Sequence, residues 1–119
     1  EHIGQGFVEL VESGNTDGQS AESTVRESLM PLLEAGADTI VLGCTHYPFL
    51  IDTISKVAIS EFPERSVTII DPAPAVARHL LEVMKEDGIA EKSDSGYSIE
   101  LHSSGDPAGL QRTFSTLLK

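Results

Sequence analysis

The 119-residue chain has no tryptophan, one cysteine, two tyrosines and four phenylalanines. Aliphatic side chains must therefore supply most of any core. A single cysteine cannot close an internal disulfide, and a reducing cytoplasm is the expected setting. Basic residues are scarce too: eight Lys and Arg stand against 19 Asp and Glu, a net charge of −11. Phosphate backbones are held by clustered Lys and Arg, so nucleic acid is disfavoured as a partner. Anionic membrane surfaces are disfavoured for the same reason. No apolar run approaches membrane-spanning length, and no basic-then-apolar leader opens the chain. The Gly-rich phosphate loops of the Walker and Rossmann kinds are missing. His2, His79 and His102 have no metal-ligand spacing with Cys44 or with one another. The first residue is Glu1, not Met, so the chain is expected to be an excised part of something longer.

What is present suits one domain. Phe7 to Glu12 is a short apolar stretch, helix or strand, ended by Ser13-Gly14-Asn15. Val25, Leu29, Leu32 and Leu33 share one face of a helix expected from about Ala21 to Glu34. Pro31 lies inside that pattern and should kink it, and Gly36 should close it. Thr39 to Leu42 reads as a buried strand. Pro48 opens a second helix, with Leu50, Ile54, Val57 and Ala58 on its buried face. Val67 to Ile70 is a second strand, stopped by Asp71-Pro72. The next helix, from Pro74 to about Asp87, is expected to bury Ala77, Leu80, Leu81 and Met84. After a polar connection from Ala90 to Gly96, Tyr97 to Leu101 alternates as a third strand. Asp106 and Pro107 then start a last helix. Strands separated by single helices form parallel sheets with right-handed crossovers. The expected fold is α/β: three layers, α/β/α, with a mainly parallel sheet.

Ligands of open α/β sheets collect just beyond the carboxyl ends of the strands. The first strand ends there in Gly43-Cys44-Thr45-His46. A thiolate is a nucleophile or a base when its pKa is depressed, and the helix beginning near Pro48 aims its positive end at this turn. The competing account is a buried thiol acting as a small hydrophobe. His46 is placed to hold or move a proton near neutral pH; a hydrogen-bonded surface histidine is the plain alternative. Thr45 offers a hydroxyl and a backbone N–H to a carboxylate, or is an ordinary turn residue. Asp71 should share the rim with Cys44, most simply as a helix cap. Glu9 and Glu12 fit a solvated acidic face.

The run Val41-Leu42-Gly43-Cys44-Thr45-His46-Tyr47-Pro48 resembles the second active-site cysteine motif of the glutamate racemases, cofactor-independent enzymes of the aspartate/glutamate racemase fold. Phe7-Val8-Glu9-Leu10-Val11-Glu12 resembles the family's segment with an active-site glutamate, which falls on Glu12. Ile70-Asp71-Pro72-Ala73 and Ser103-Ser104-Gly105-Asp106, followed by Phe114, resemble later segments. Nearly the whole chain is covered, but only about the second half of a family member.

The resemblance implies a two-base exchange of the α-proton of glutamate, with cysteines flanking Cα. Cys44 would be the base facing L-glutamate, His46 would assist it, Glu12 would orient His46, and Thr45 would bind the substrate carboxylate. No PLP or metal is expected. The D-glutamate produced feeds peptidoglycan in bacteria. Residues 1–89 would form the second α/β domain, and residues 90–119 the closing strand and helix that return to the first. The first cysteine and its substrate-binding segments have no counterpart here, so the chain alone is expected to be inactive. Its final segment, short of its native neighbours, leaves a homo-oligomer open. Two other readings stand. A related racemase for aspartate typically has Glu after Gly-Cys-Thr, so His46 and Tyr47-Pro48 favour glutamate. A non-catalytic α/β binding module would keep the fold with an unreactive Cys44.

Overall fold

The computed structural model describes residues 1–89, 96 and 98–118. Its elements are α1 (Phe7–Glu12), α2 (Gly18–Glu34), β1 (Thr39–Val41), a 3-10 turn (Tyr47–Leu50), α3 (Ile51–Glu61), β2 (Thr68–Ile70), α4 (Ala73–Glu86) and α5 (Pro107–Leu117). Strands β1 and β2 are parallel and in register, with Thr39, Ile40 and Val41 opposite Thr68, Ile69 and Ile70. This is an α/β fold with a parallel sheet, as the alternation of helix and strand implies.

The core forms where three apolar faces meet. Val25, Leu29 and Leu33 from α2 are buried against Leu50, Ile54 and Val57 of the following turn and α3, with Phe7, Leu10 and Val11 of α1 beside them. Each such side chain contributes about 1.5–3 kcal/mol of burial. Arg26 reaches Glu61 at 2.6 Å and Lys56 reaches Glu22 at 2.8 Å, bracing α2 on α3. Helix α2 runs through Pro31 to Glu34 without ending. It then closes as expected: Gly36 has φ +95°, and the Ala37 N–H donates to the Leu32 carbonyl at 3.0 Å. That left-handed residue turns the chain into β1. Arg65 holds the same corner, donating to the Leu33 and Ala37 carbonyls at 2.7 and 2.9 Å.

Side chains alternate across the sheet. Ile40 and Ile69 pack on the core, whereas Val41 and Ile70 are 63% and 43% exposed on the other face. Helix α4 is likewise uncovered. It buries no residue, and Leu80 and Leu81, expected in the core, are 57% and 53% exposed; Ala77 is exposed and Met84 only half-buried. The amphipathic pattern is real, but nothing among the described residues packs against it. The third strand also fails to form. Tyr97 lies outside the described residues, and residues 98–101 carry no strand and do not join the β1–β2 sheet.

These bare faces show in the dimensions. The accessible surface is 8687 Å², against roughly 6,200 Å² for a compact monomer of this mass. The radius of gyration is 17.5 Å, against about 13.5 Å for a compact domain of this length.

Candidate active site

Beyond Val41 the pairing continues for one bond, as the Leu42 N–H donates to the Ile70 carbonyl at 3.0 Å. Buried Leu42 anchors the strand end, and the chain then turns through Gly43, Cys44 and Thr45 into the 3-10 turn. Cys44 therefore stands at the carboxyl end of the sheet, half-buried. It lines a cavity of about 500 Å³ with Thr45, Pro48, Asp71 and, from α4, Val76 and Leu80. A second cavity, of about 260 Å³, touches Tyr47 but not the thiol.

Three expected site residues come together. Cys44 Sγ lies 4.0 Å from His46 Nδ1. His46 Nε2 lies 2.7 Å from Glu12 Oε1, across 34 positions of sequence. A carboxylate only accepts, so Nε2 carries the proton and donates to Glu12. That leaves Nδ1 of the neutral ring as the acceptor, facing the thiol. The Thr45 hydroxyl is 3.5 Å from the same nitrogen and is otherwise exposed towards the cleft.

The electrostatics agree with this ordering. The Cys44 thiol is lowered from its ordinary value, first by the backbone N–H of His46; burial opposes this, and the His46 ring and the Tyr47 backbone lower it further. His46 is raised, first by its hydrogen bond to Glu12 and also by Cys44. Both shifts run in the direction that eases proton transfer from the thiol to the ring, with a carboxylate behind it. Such a group can take a proton from carbon and pass it on.

Asp71 shares the thiol's cavity, as expected of the rim, but does not join the Cys44–His46–Glu12 line. Asp71 Oδ1 accepts from the Ala73 N–H at 2.9 Å, where α4 begins, although the N-cap position itself is held by Pro72 and carries no side-chain cap. His79 and His102 make only local surface pairs with Glu82 and Glu100. Among the described residues no three His, Cys, Asp or Glu side chains gather as metal ligands, and no helix is long and apolar enough to cross a membrane. Tyr47 belongs to the motif, but its hydroxyl's contact with the Gly4 N–H, 43 positions away, has no local signal in the sequence.

Fold and site together define part of an α/β protein in which a cysteine, a histidine and a carboxylate line up at the strand ends. No protein-family model matches the chain. It is 40% identical over 111 residues to the glutamate racemase of Deinococcus radiodurans, spanning 93% of this chain and 37% of that protein. It is 38% identical over 115 residues to that of Cupriavidus pinatubonensis, spanning 97% of this chain and 40% of that protein. The crystal structure of the Francisella tularensis glutamate racemase in complex with D-glutamate shares the fold, with a TM-score of 0.71 at 22% identity over 96% of this chain and 41% of that one. Over nearly all of its length the chain is similar to one part of the glutamate racemases. It spans about two-fifths of the length of these relatives.

Proposed function

We propose that the chain is the C-terminal part of a cofactor-independent glutamate racemase, with Cys44 as the base that exchanges the α-proton on the L-glutamate face. The observation that carries this reading is the Cys44–His46–Glu12 line, in which a carboxylate 2.7 Å from one ring nitrogen leaves the other facing the thiol. The thiolate takes the α-proton, and His46 returns the sulfur to its working protonation state between turnovers. Glu12 stabilises the imidazolium that forms and fixes the ring. The Thr45 hydroxyl and backbone N–H receive the substrate carboxylate. The work is done by local donors, which reconciles an anionic substrate with a net charge of −11.

Inversion needs a second base on the opposite face of Cα, and the sequence holds one cysteine. The chain alone is therefore inactive as a racemase. In the parent, residues 1–89 belong to the second domain, and residues 90–119 close onto the first. The product, D-glutamate, supplies peptidoglycan synthesis in a bacterial cytoplasm, without PLP, metal or nucleic acid.

The test follows optical activity of L-glutamate and of L-aspartate with the parent chain, its upstream part restored. Loss with glutamate alone, abolished by Cys44→Ser, is the expected result. Turnover of aspartate instead moves the assignment to that substrate. A folded parent that turns over neither favours the binding module. Full turnover by the 119-residue chain would sink the claim that it is incomplete.

A further inference from the structure

Tyr47 follows His46 directly, yet the proposed chemistry does not use it. It is tied twice to the segment that leads into α1. Its hydroxyl accepts a hydrogen bond from the Gly4 backbone N–H at 3.1 Å. Its ring meets Phe7 edge-on, with centroids 5.0 Å apart and planes at 70°. Aromatic pairs favour this geometry beyond the area they bury. Gly4 is fitted to the contact: a Cβ there would lie 2.6 Å from Phe7 Cδ2. A larger residue would push Phe7 off the tyrosine or draw the N–H away from the hydroxyl.

The consequence runs along α1. Phe7 is its first residue and Glu12 its last. A helix of 6 residues has no independent stability, so it sits where its contacts hold it. Glu12 is 62% exposed, and its polar contact is His46. Leu10 and Val11 hold α1 in the core, and Phe7 holds the end that meets Tyr47; together they set the reach of Glu12, roughly 7–8 Å from Phe7 along the helix.

We propose that Tyr47 is a positioning residue: it clamps α1 onto the turn that carries Cys44 and His46, and so sets the Glu12–His46 contact. This deepens the reading of His46 as proton partner of Cys44. The ionisable groups around the pair are Glu12 on α1, Cys44 and His46 on the turn, Asp71 across the thiol's cavity, and Arg112 of α5, which lines a cavity with Glu12. Glu1 and His2 line the cavity on the far side of Tyr47.

The test uses the 119-residue chain itself. Alkylation of Cys44 by iodoacetamide is followed from about pH 5 to about pH 10, since the thiolate fraction governs the rate. The proteins compared are the parent sequence, Tyr47→Phe, Glu12→Gln and the double variant, each checked by circular dichroism. Tyr47→Phe and Glu12→Gln are each expected to slow alkylation at neutral pH about three- to tenfold, through a smaller thiolate fraction. The double variant is expected to be no slower than Glu12→Gln, because both changes cut one path. An unchanged rate in either single variant overturns the proposal. So does the same slowing by Tyr47→Phe in both backgrounds, which would make the tyrosine merely structural. If Tyr47→Phe does not fold, Phe7→Leu loosens the same clamp from α1 and must slow alkylation with the same dependence on Glu12; an unchanged rate there also overturns it. The readout is thiol reactivity, so a parent that fails to turn over glutamate leaves this result standing.

Discussion

Replacing Leu33 and Leu80 with alanine, one at a time, separates a packed helix face from one that is merely apolar. Both leucines sit at helical spacing among other apolar residues, on α2 and α4. Leu33 has no exposed surface, whereas Leu80 is 57% exposed. Truncating a buried leucine removes its transfer free energy and leaves a cavity, about 2–5 kcal/mol together. Leu33 lies in the core cluster with Leu50, Ile54 and Val57, so a loss of about 3 kcal/mol is expected. At Leu80 little surface is removed from contact, and the change should stay within about 0.5 kcal/mol. Urea unfolding followed by circular dichroism reads both. The midpoint should fall sharply for Leu33→Ala at constant slope, equivalent to roughly 10 °C in Tm, and hold for Leu80→Ala. Equal losses would refute the reasoning, since they would mean that α4 is packed as tightly as α2.

Arg65→Met removes both donors from the Leu33 and Ala37 carbonyls and is expected to cost about 1–3 kcal/mol in the same unfolding experiment; an unchanged midpoint would show that the α2–β1 corner holds without it. Glu12→Gln carries a pH signature. The folded His46 is raised, with Glu12 the first cause. The pair's contribution is therefore fully present below the unfolded histidine's value of about 6.5 and is lost as pH rises through the higher folded one. Since Glu12 is largely exposed, the stability gap to the variant should be no more than about 1 kcal/mol in acid and should close in mild alkali. A gap that grows with pH would count against it. Asp106→Ala takes away the side chain that accepts from the Ala108 N–H at 3.0 Å, and amide exchange in the first turn of α5 should quicken by the equivalent of about 1 kcal/mol; unaltered exchange would deny the cap.

Local chemistry was legible where it is self-contained. The spacing of Val25, Leu29 and Leu33, the glycine after α2, and Asp106 before Pro107 each act within a few residues, and each forms as read. Thr39 to Val41 and Thr68 to Ile70 were readable as strands because turn residues bound short β-branched runs. What failed depended on partners. Leu80 and Leu81 carry an apolar stripe, but a stripe does not say what covers it. Residues 98–101 alternate like a strand, but alternation does not say which strand they pair with, and they join neither β1 nor β2. The nature of α1 was ambiguous for a related reason: six residues hold too few periods to separate helix from strand. At the site, Cys44, Thr45 and His46 were found from one contiguous motif. The approach of Glu12 to His46 across 34 positions was implied by family resemblance, not by spacing. Tyr47's grip on Gly4 spans 43 positions and left no mark in the sequence at all.

The central claim is that Cys44 moves the α-proton of L-glutamate. Deuterium entry at Cα, followed by NMR in D₂O with the parent chain, reads that step without waiting for full inversion. Cys44→Ser is expected to slow exchange from L-glutamate by at least about 100-fold, the lower bound for losing a positioned acid–base group. Exchange from L-glutamate that continues at the unaltered rate in Cys44→Ser would contradict the account.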